Sequence, residues 1–214
     1  GSGWASQPWF QKEAYVSDEL IKKAAETSCK ALVVIGRMAG EDKDNSAEKG
    51  SYFLTDEESD LIKRVCASFD KVCVLLNVGN VIDMTWIKEL NVPSVMYIWQ
   101  GGMEGGAALA NVVCGKTSPS GKLADTIVKG LNKCPAIKNF GSLERNFYAE
   151  DIYVGYRYYE TFAPEDVLYP FGYGISYTQF DIEHKNTRID DENISLDFTV
   201  KNIGSASGKE VLQV

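Results

Sequence analysis

A chain of 214 residues with 44% hydrophobic, 24% charged and 11% aromatic residues has the make-up of an ordinary globular protein, which excludes disorder, collagen and coiled-coil repeats. Its 22 Lys and Arg against 30 Asp and Glu leave a net charge of −8 with no basic run, so nucleic acid is not an expected partner. No apolar stretch approaches the roughly 20 residues of a membrane helix, and no membrane partner is expected either. Gly1-Ser2-Gly3 reads as a cloning remnant and residues 1–16 as an N-terminal extension without a signal pattern.

Residues 17–128 alternate β-branched runs with helical patterns, as a parallel sheet covered by helices does. Ser17 can cap a helix opening at Asp18-Glu19, whose acids lead and lysines follow. Ala31-Leu32-Val33-Val34-Ile35 is too apolar for a half-exposed strand and reads as a buried parallel one. Thr55-Asp56-Glu57-Glu58 is a capping box that opens a helix through Leu61, Ile62, Val65 and Phe69. Further strands are expected at Val72–Leu76, Ser94–Ile98 and Ala124–Val128, with helices at Val81–Leu90 and Glu104–Cys114. Residues 129–177 lose helical periodicity and gather rings, among them Phe147, Tyr148, Tyr153, Tyr156, Tyr158, Tyr159 and Phe162, so an extended aromatic strap packed on a neighbour is expected. From Gln179 the period becomes two, at Phe180–His184 and Ile194–Val200, with a further strand starting at Glu210. Residues 178–214 thus read as an incomplete β-sandwich, short of the roughly 100 residues such a domain takes.

Five cysteines, Cys29, Cys66, Cys73, Cys114 and Cys134, form no C-x-x-C pair; no zinc site or disulfide framework is expected, and a reducing, cytoplasmic setting is favoured. Cys66, Cys73 and Cys114 fall in apolar patterns that suit small core hydrophobes. His184, the one histidine, lies in the late β region, which makes a histidine-based triad hard to assemble.

The loop from Arg37 to Leu54 is far longer than the about 2–6 residues usual in α/β connections, and it leaves the carboxyl end of a parallel strand, where open sheets bind ligands. Gly40 permits a turn that presents Glu41, with Asp42, Asp44 and Glu48 as further candidate acids; a solvated acidic loop is the alternative. An EF-hand fails, because Ala47 and Phe53 stand where the turn glycine and the bidentate glutamate belong. Trp99-Gln100-Gly101-Gly102-Met103-Glu104-Gly105-Gly106 lacks the spacing of a phosphate cradle, and its glycines suit close helix-to-strand packing. No metal or organic cofactor has an evident site.

Four stretches taken together resemble the C-terminal α/β-sandwich domain of glycoside hydrolase family 3, followed by the start of its fibronectin type III-like domain. They are Trp99–Gly106, Gly115-Lys116-Thr117-Ser118-Pro119-Ser120-Gly121-Lys122-Leu123, Tyr148–Tyr159 with Gly155-Tyr156-Arg157-Tyr158-Tyr159, and Tyr169-Pro170-Phe171-Gly172-Tyr173-Gly174-Ile175-Ser176-Tyr177. They stand in the family's order over nearly the whole chain from about Lys30. The nearest likeness is to bacterial β-glucosidases in which this domain supplies the acid/base from a Gly-Glu motif after its first strand, here Arg37-Met38-Ala39-Gly40-Glu41. The resemblance implies Glu41 as general acid/base, with Lys43 and Asp44 at the aglycone entrance. It implies a nucleophilic aspartate in a separate (β/α)8 barrel, and no Asp-Trp of the family's nucleophile motif occurs here. The expected partners are therefore a β-glucoside and the barrel domain of the same protein, with a homo-oligomer left open, and this chain alone is expected to be inactive. The alternative is a noncatalytic domain that supports or recognises carbohydrate.

Overall fold

The computed structural model describes residues 11–38 and 44–214. The chain divides into two compact units, one of residues 1–103 and 125–170 and the other of residues 104–124 and 171–214.

The first unit is built on a three-stranded parallel sheet in the order β1-β2-β3, with β1 at Lys30–Gly36, β2 at Lys71–Asn77 and β3 at Val95–Tyr97. Register runs from Lys30 opposite Lys71 to Gly36 opposite Asn77, and then from Val74 opposite Val95 to Leu76 opposite Tyr97. Helix α1 (Asp18–Thr27) starts where Ser17 Oγ accepts from the Leu20 N–H, and α2 (Asp56–Ser68) starts at the reciprocal capping box of Thr55 and Glu58. Arg64 ties the two helices, donating to the Val16 carbonyl at 2.7 Å and to Asp18 at 3.0 Å. Val33, Ile35, Val74 and Leu76 share one face of the sheet by register and are buried, as are Ile21, Ile62 and Val65 of the helices. Helix α3 occupies only Trp86–Glu89, shorter than the Val81–Leu90 expected, because residues 78–83 form a loop whose Asp83 carbonyl takes the Trp86 indole N–H at 2.7 Å.

The α/β class is as expected, but three elements differ from the sequence reading. β1 is buried on one face only: Leu32 and Val34 are 53% and 54% exposed, while β2 in the centre of the sheet is buried on both faces. β1 is an edge strand here, so its apolar composition reports more covering than this chain provides. The strand expected at Ala124–Val128 shrinks to β4 (Ile127–Val128) and pairs antiparallel with β5 (Val167–Tyr169), outside the parallel sheet. The aromatic segment is not wholly extended. It contains 3-10 turns at Leu131–Lys133, Pro135–Lys138 and Pro164–Asp166 and the helix α5 (Tyr156–Phe162). Tyr159 in α5 is buried with Val128 and Ala163, its hydroxyl donating to the Lys133 carbonyl, and Tyr153 and Tyr158 pack on Phe162. The contact of Tyr158 with Phe162, four residues on, and that of Tyr153 with Phe162 stand in for the missing aliphatic periodicity. Phe147 and Tyr148 stay bare, Tyr148 at 92% exposure.

In the second unit, α4 (Gly105–Val113) accompanies an antiparallel hairpin of β6 (Phe180–Ile189) and β7 (Ile194–Asn202). Ser118 Oγ meets Ser176 Oγ at 3.0 Å and accepts from the Tyr177 N–H, and the Tyr177 hydroxyl donates to the Val112 carbonyl. No strand forms at Glu210. Its carboxylate instead pairs with Lys122 at 3.0 Å and is held below the usual carboxylate range by the Val211 N–H and then by Lys122. Sandwich alternation at the end of the chain meets no pairing strand, so side-chain tethers decide its path. Cys114 is exposed rather than a core hydrophobe, Cys66 and Cys73 are half-buried, and all five thiols are free. Among the described residues, no helix is long and apolar enough to cross a membrane.

Ile62 is fully buried. Ile62→Ala should therefore lower stability by about 2–5 kcal/mol, read as a fall in the urea midpoint at unchanged slope.

Candidate active site

The site is assembled at the carboxyl ends of β1, β2 and β3. Its foundation is Arg37, the first residue after β1, whose N–H still bonds the Asn77 carbonyl at 3.1 Å beyond the end of the ladder. Its side chain is only 3% exposed. Its guanidinium grips Glu58 with both ends of the fork, Nη1 to Oε1 at 2.5 Å and Nη2 to Oε2 at 2.8 Å. The remaining donors reach main-chain carbonyls: Nε to Ser51 at 3.2 Å, Nη1 to Gly36 at 2.8 Å and Nη2 to Phe53 at 3.3 Å. Glu58 Oε2 also accepts the Thr55 N–H at 2.8 Å, so one carboxylate caps α2 and neutralises the arginine. The strand end, the returning limb of the loop and the start of the next helix are thereby joined at one buried point.

That returning limb is closely hydrogen-bonded. The Ser46 N–H donates to Ser51 Oγ at 2.9 Å, and the Ser51 and Phe53 N–H groups donate to the Glu48 carbonyl at 3.2 and 3.1 Å. Gly50 turns the chain at φ 82°, a left-handed geometry suited to glycine, and its N–H meets the Phe53 carbonyl at 2.8 Å. Asn45 reaches across to the β2–α3 loop, its Nδ2 donating to the Val81 carbonyl at 2.8 Å, and the Asp83 N–H returns a bond to the Tyr52 carbonyl at 2.9 Å. Tyr52 is buried on this limb, edge-on to Phe53, and its phenol is pushed up to about 12 by burial first and then by the nearby Asp83 carboxylate.

The loops after β2 and β3 complete the rim. Tyr97 donates its hydroxyl to the Asn80 carbonyl at 2.8 Å and accepts the Ile82 N–H at 3.1 Å; burial raises its pKa. Trp99 adopts the left-handed region at φ 52° and lays its ring against Tyr97, centroids 4.3 Å apart. Gly79 leaves room for the Gln100 side chain, whose Oε1 would stand 3.2 Å from any added Cβ. By contrast, an added Cβ at Gly102, Gly105 or Gly106 meets nothing within 4 Å.

Of the residues expected to do chemistry, Glu41 and Lys43 lie outside the described residues, as do Gly40 and Asp42. Asp44 is exposed where the described chain resumes, one residue before the Asn45 tether. Glu48 caps the local turn through Ser46. His184 is on the exposed hairpin, bonded to Thr187 Oγ1 and stacked near Phe198, far in sequence from these loops. Among the described residues, no three His, Cys, Asp or Glu side chains converge as metal ligands do. From the sequence, Arg37 is only part of the Gly-Glu motif and Asn45 only a departure from the family's usual pattern; neither is given a role. An arginine directly after an apolar strand, followed by a capping-box glutamate, was the available signal for the first; nothing local announces the second.

The model of the glycosyl hydrolase family 3 C-terminal domain matches residues 12–177. The chain belongs to glycosyl hydrolase family 3. It is 51% identical over its whole length to a β-glucosidase of Ruminococcus albus, of which it covers 22%, and 36% identical over 97% of its length to β-glucosidase A of Butyrivibrio fibrisolvens, of which it covers 30%. Among solved structures it resembles a β-glucosidase from Paenibacillus barengoltzii, with a TM-score of 0.92 and 49% identity over 97% of this chain and 23% of that one. It also resembles β-glucosidase 3B from Thermotoga neapolitana, solved with α-D-glucose, with a TM-score of 0.80 and 38% identity over 89% of this chain and 27% of that one. The chain thus spans less than a third of the length of these relatives.

Two outcomes follow from the buried groups of this family 3 domain. Glu58→Ala should cost about 3–5 kcal/mol in urea unfolding, because it removes the buried carboxylate that both ends of the Arg37 fork grip. The folded Tyr52 phenol titrates near 12 against an ordinary 10.0, so its contribution to stability is complete below pH 10 and is lost as pH rises from there to about 12. Tyr52→Phe should flatten that part of the stability profile, measured by denaturant unfolding across the range.

Proposed function

We propose that this chain is the acid/base-bearing part of a retaining β-glucosidase that releases terminal β-linked glucose from small glucosides, with Glu41 as the proton donor and acceptor. What carries the reading is the 51% identity to a β-glucosidase over all 214 residues, combined with a Gly40-Glu41 pair in the loop that leaves the carboxyl end of β1. Ligands bind at such strand ends in open α/β sheets. The nucleophile is then an aspartate on a (β/α)8 barrel of the same protein, and this chain alone is inactive.

The division of labour follows from the chemistry. The barrel aspartate attacks the anomeric carbon while Glu41, as the acid, gives its proton to the glycosidic oxygen; the aglycone leaves as an alcohol and a glycosyl-aspartate remains. Glu41, now a carboxylate, takes a proton from water as that water attacks the same carbon, which frees the aspartate and yields glucose with its configuration retained. The two carboxyl groups must face each other at about 5–5.5 Å, so the acid/base must be presented outward from its own domain toward the barrel. Lys43 and exposed Asp44 border the aglycone entrance in this arrangement. We assign residues 17–128 to the α/β sandwich domain, 129–177 to an aromatic segment whose bare Phe147 and Tyr148 face the barrel, and 178–214 to the beginning of a fibronectin type III-like domain, with residues 1–16 as an extension.

In the complete enzyme, Glu41→Ala should slow hydrolysis of glucosides with poor leaving groups by about 10²–10⁴-fold, while a dinitrophenyl glucoside still forms the covalent intermediate and azide restores its turnover. Unchanged hydrolysis of poor-leaving-group substrates would remove Glu41 from the mechanism. A parent protein lacking any barrel would favour a noncatalytic carbohydrate-associated domain instead.

A further inference from the structure

We infer that the carboxyl ends of β2 and β3 carry a subsite for the sugar that forms the leaving group of a β-linked oligoglucoside, made by the Trp99 indole with the Gln100 and Asn80 amides. This rests on the reading of the chain as part of a β-glucosidase, but not on which residue is its acid. Trp99 holds φ 52°, in the left-handed region that bulky side chains rarely occupy, and such strain gathers at ligand sites. The Tyr97 ring backs it, centroid 4.3 Å away, and the indole stays half-buried rather than sinking into the core. Gly79 lies outside the left-handed region, so backbone conformation does not call for glycine there. Its bareness seats the Gln100 amide, whose Oε1 and Nε2 would stand 3.2 and 3.3 Å from an added Cβ. Asn80 is half-buried, its main chain held by the Tyr97 hydroxyl at 2.8 Å. Among the described residues, neither side-chain amide has a hydrogen-bond partner, and Gln100 is exposed.

This combination fits a neutral sugar. A pyranose offers apolar C–H faces to an aromatic ring and hydroxyls around its rim, and a hydroxyl both gives and takes hydrogen bonds, as a carboxamide does. None of the three side chains is charged, so a phosphate or carboxylate finds no countercharge among them. The place is one where open α/β sheets bind ligands. It is also continuous with the loop after β1. Asn45 Nδ2 donates to the Val81 carbonyl, next to Asn80, and the Tyr97 hydroxyl joins Asn80 to β3. Exposed Asp44, assigned above to the aglycone entrance, adjoins Asn45. The sugar beyond the scissile bond, rather than the terminal glucose, is therefore what Trp99, Gln100 and Asn80 meet.

The test measures kcat/KM of the complete enzyme on cellobiose, phenyl β-glucoside and methyl β-glucoside, whose leaving groups are a sugar, an apolar ring and a methyl group. Gln100→Ala removes hydrogen bonds that only the sugar makes, and Trp99→Ala removes stacking that the sugar and the phenyl ring share. With Gln100→Ala, kcat/KM for cellobiose should fall about three- to tenfold relative to both other substrates. With Trp99→Ala, cellobiose and the phenyl glucoside should both fall by about that factor relative to the methyl glucoside, and Trp99→Phe should lose less. Folding is checked by near-ultraviolet circular dichroism and thermal unfolding. Gln100 is exposed and its variant is expected to fold, so it decides the matter if Trp99→Ala does not. Equal factors across the three substrates, or no change at all, in either folded variant would overturn the inference. If the complete enzyme cleaves none of the three, the glucosidase reading itself fails, and the subsite is then judged by titration calorimetry with cellobiose. Weaker binding by Gln100→Ala would uphold it there, and binding that is absent or unaltered would remove it.

Discussion

A buried guanidinium costs several kcal/mol unless its donors find acceptors, and in this chain that demand ties the end of β1 to residues 51–58. Among the described residues, Arg37 meets it through the Glu58 carboxylate and the carbonyls of Gly36, Ser51 and Phe53, drawn from the strand end, the returning limb and the first turn of α2. Glu58 meets the reciprocal demand by also capping α2. Pairs of this kind add little net stability over an apolar replacement, but they are unforgiving about geometry: only one arrangement of loop and helix serves all the partners.

The surrounding sheet makes that definition transmissible. β2 is buried on both faces and hydrogen-bonded on both edges, so its end and the following loop are a firm reference for Asn45, Tyr52 and Tyr97. The edge strand β1 is less completely covered, with Leu32 and Val34 bare on one face. Bare apolar side chains on β1 and bare rings around Tyr148 agree with a chain that represents less than a third of its relatives' length.

Much of the fold was legible in local patterns. Ser17 and Thr55 began their helices where capping chemistry said they would, and the apolar runs at residues 31–35 and 72–76 formed parallel strands in register. The misreadings share one cause. Whether Leu32 is covered, whether Val128 joins the parallel sheet or pairs with Val167, and whether Tyr156–Phe162 coils or extends are settled by partners distant in sequence, and periodicity is blind to them. In the site, the unusual length of the loop and its place at a strand end were visible, as was the Gly-Glu pair; the tethers of Arg37 and Asn45 were not.

By itself, the sequence determined that this is an α/β chain whose long acidic loop follows its first parallel strand, because hydrophobic period, caps and loop length are local properties. It also carried the motifs that tie it to glycosyl hydrolase family 3. Only the tertiary structure decided what holds that loop. Asn45 finds Val81 across 36 positions and Arg37 finds Glu58 across 21, and such pairings exist only once burial has made an unmet donor or charge too costly to tolerate.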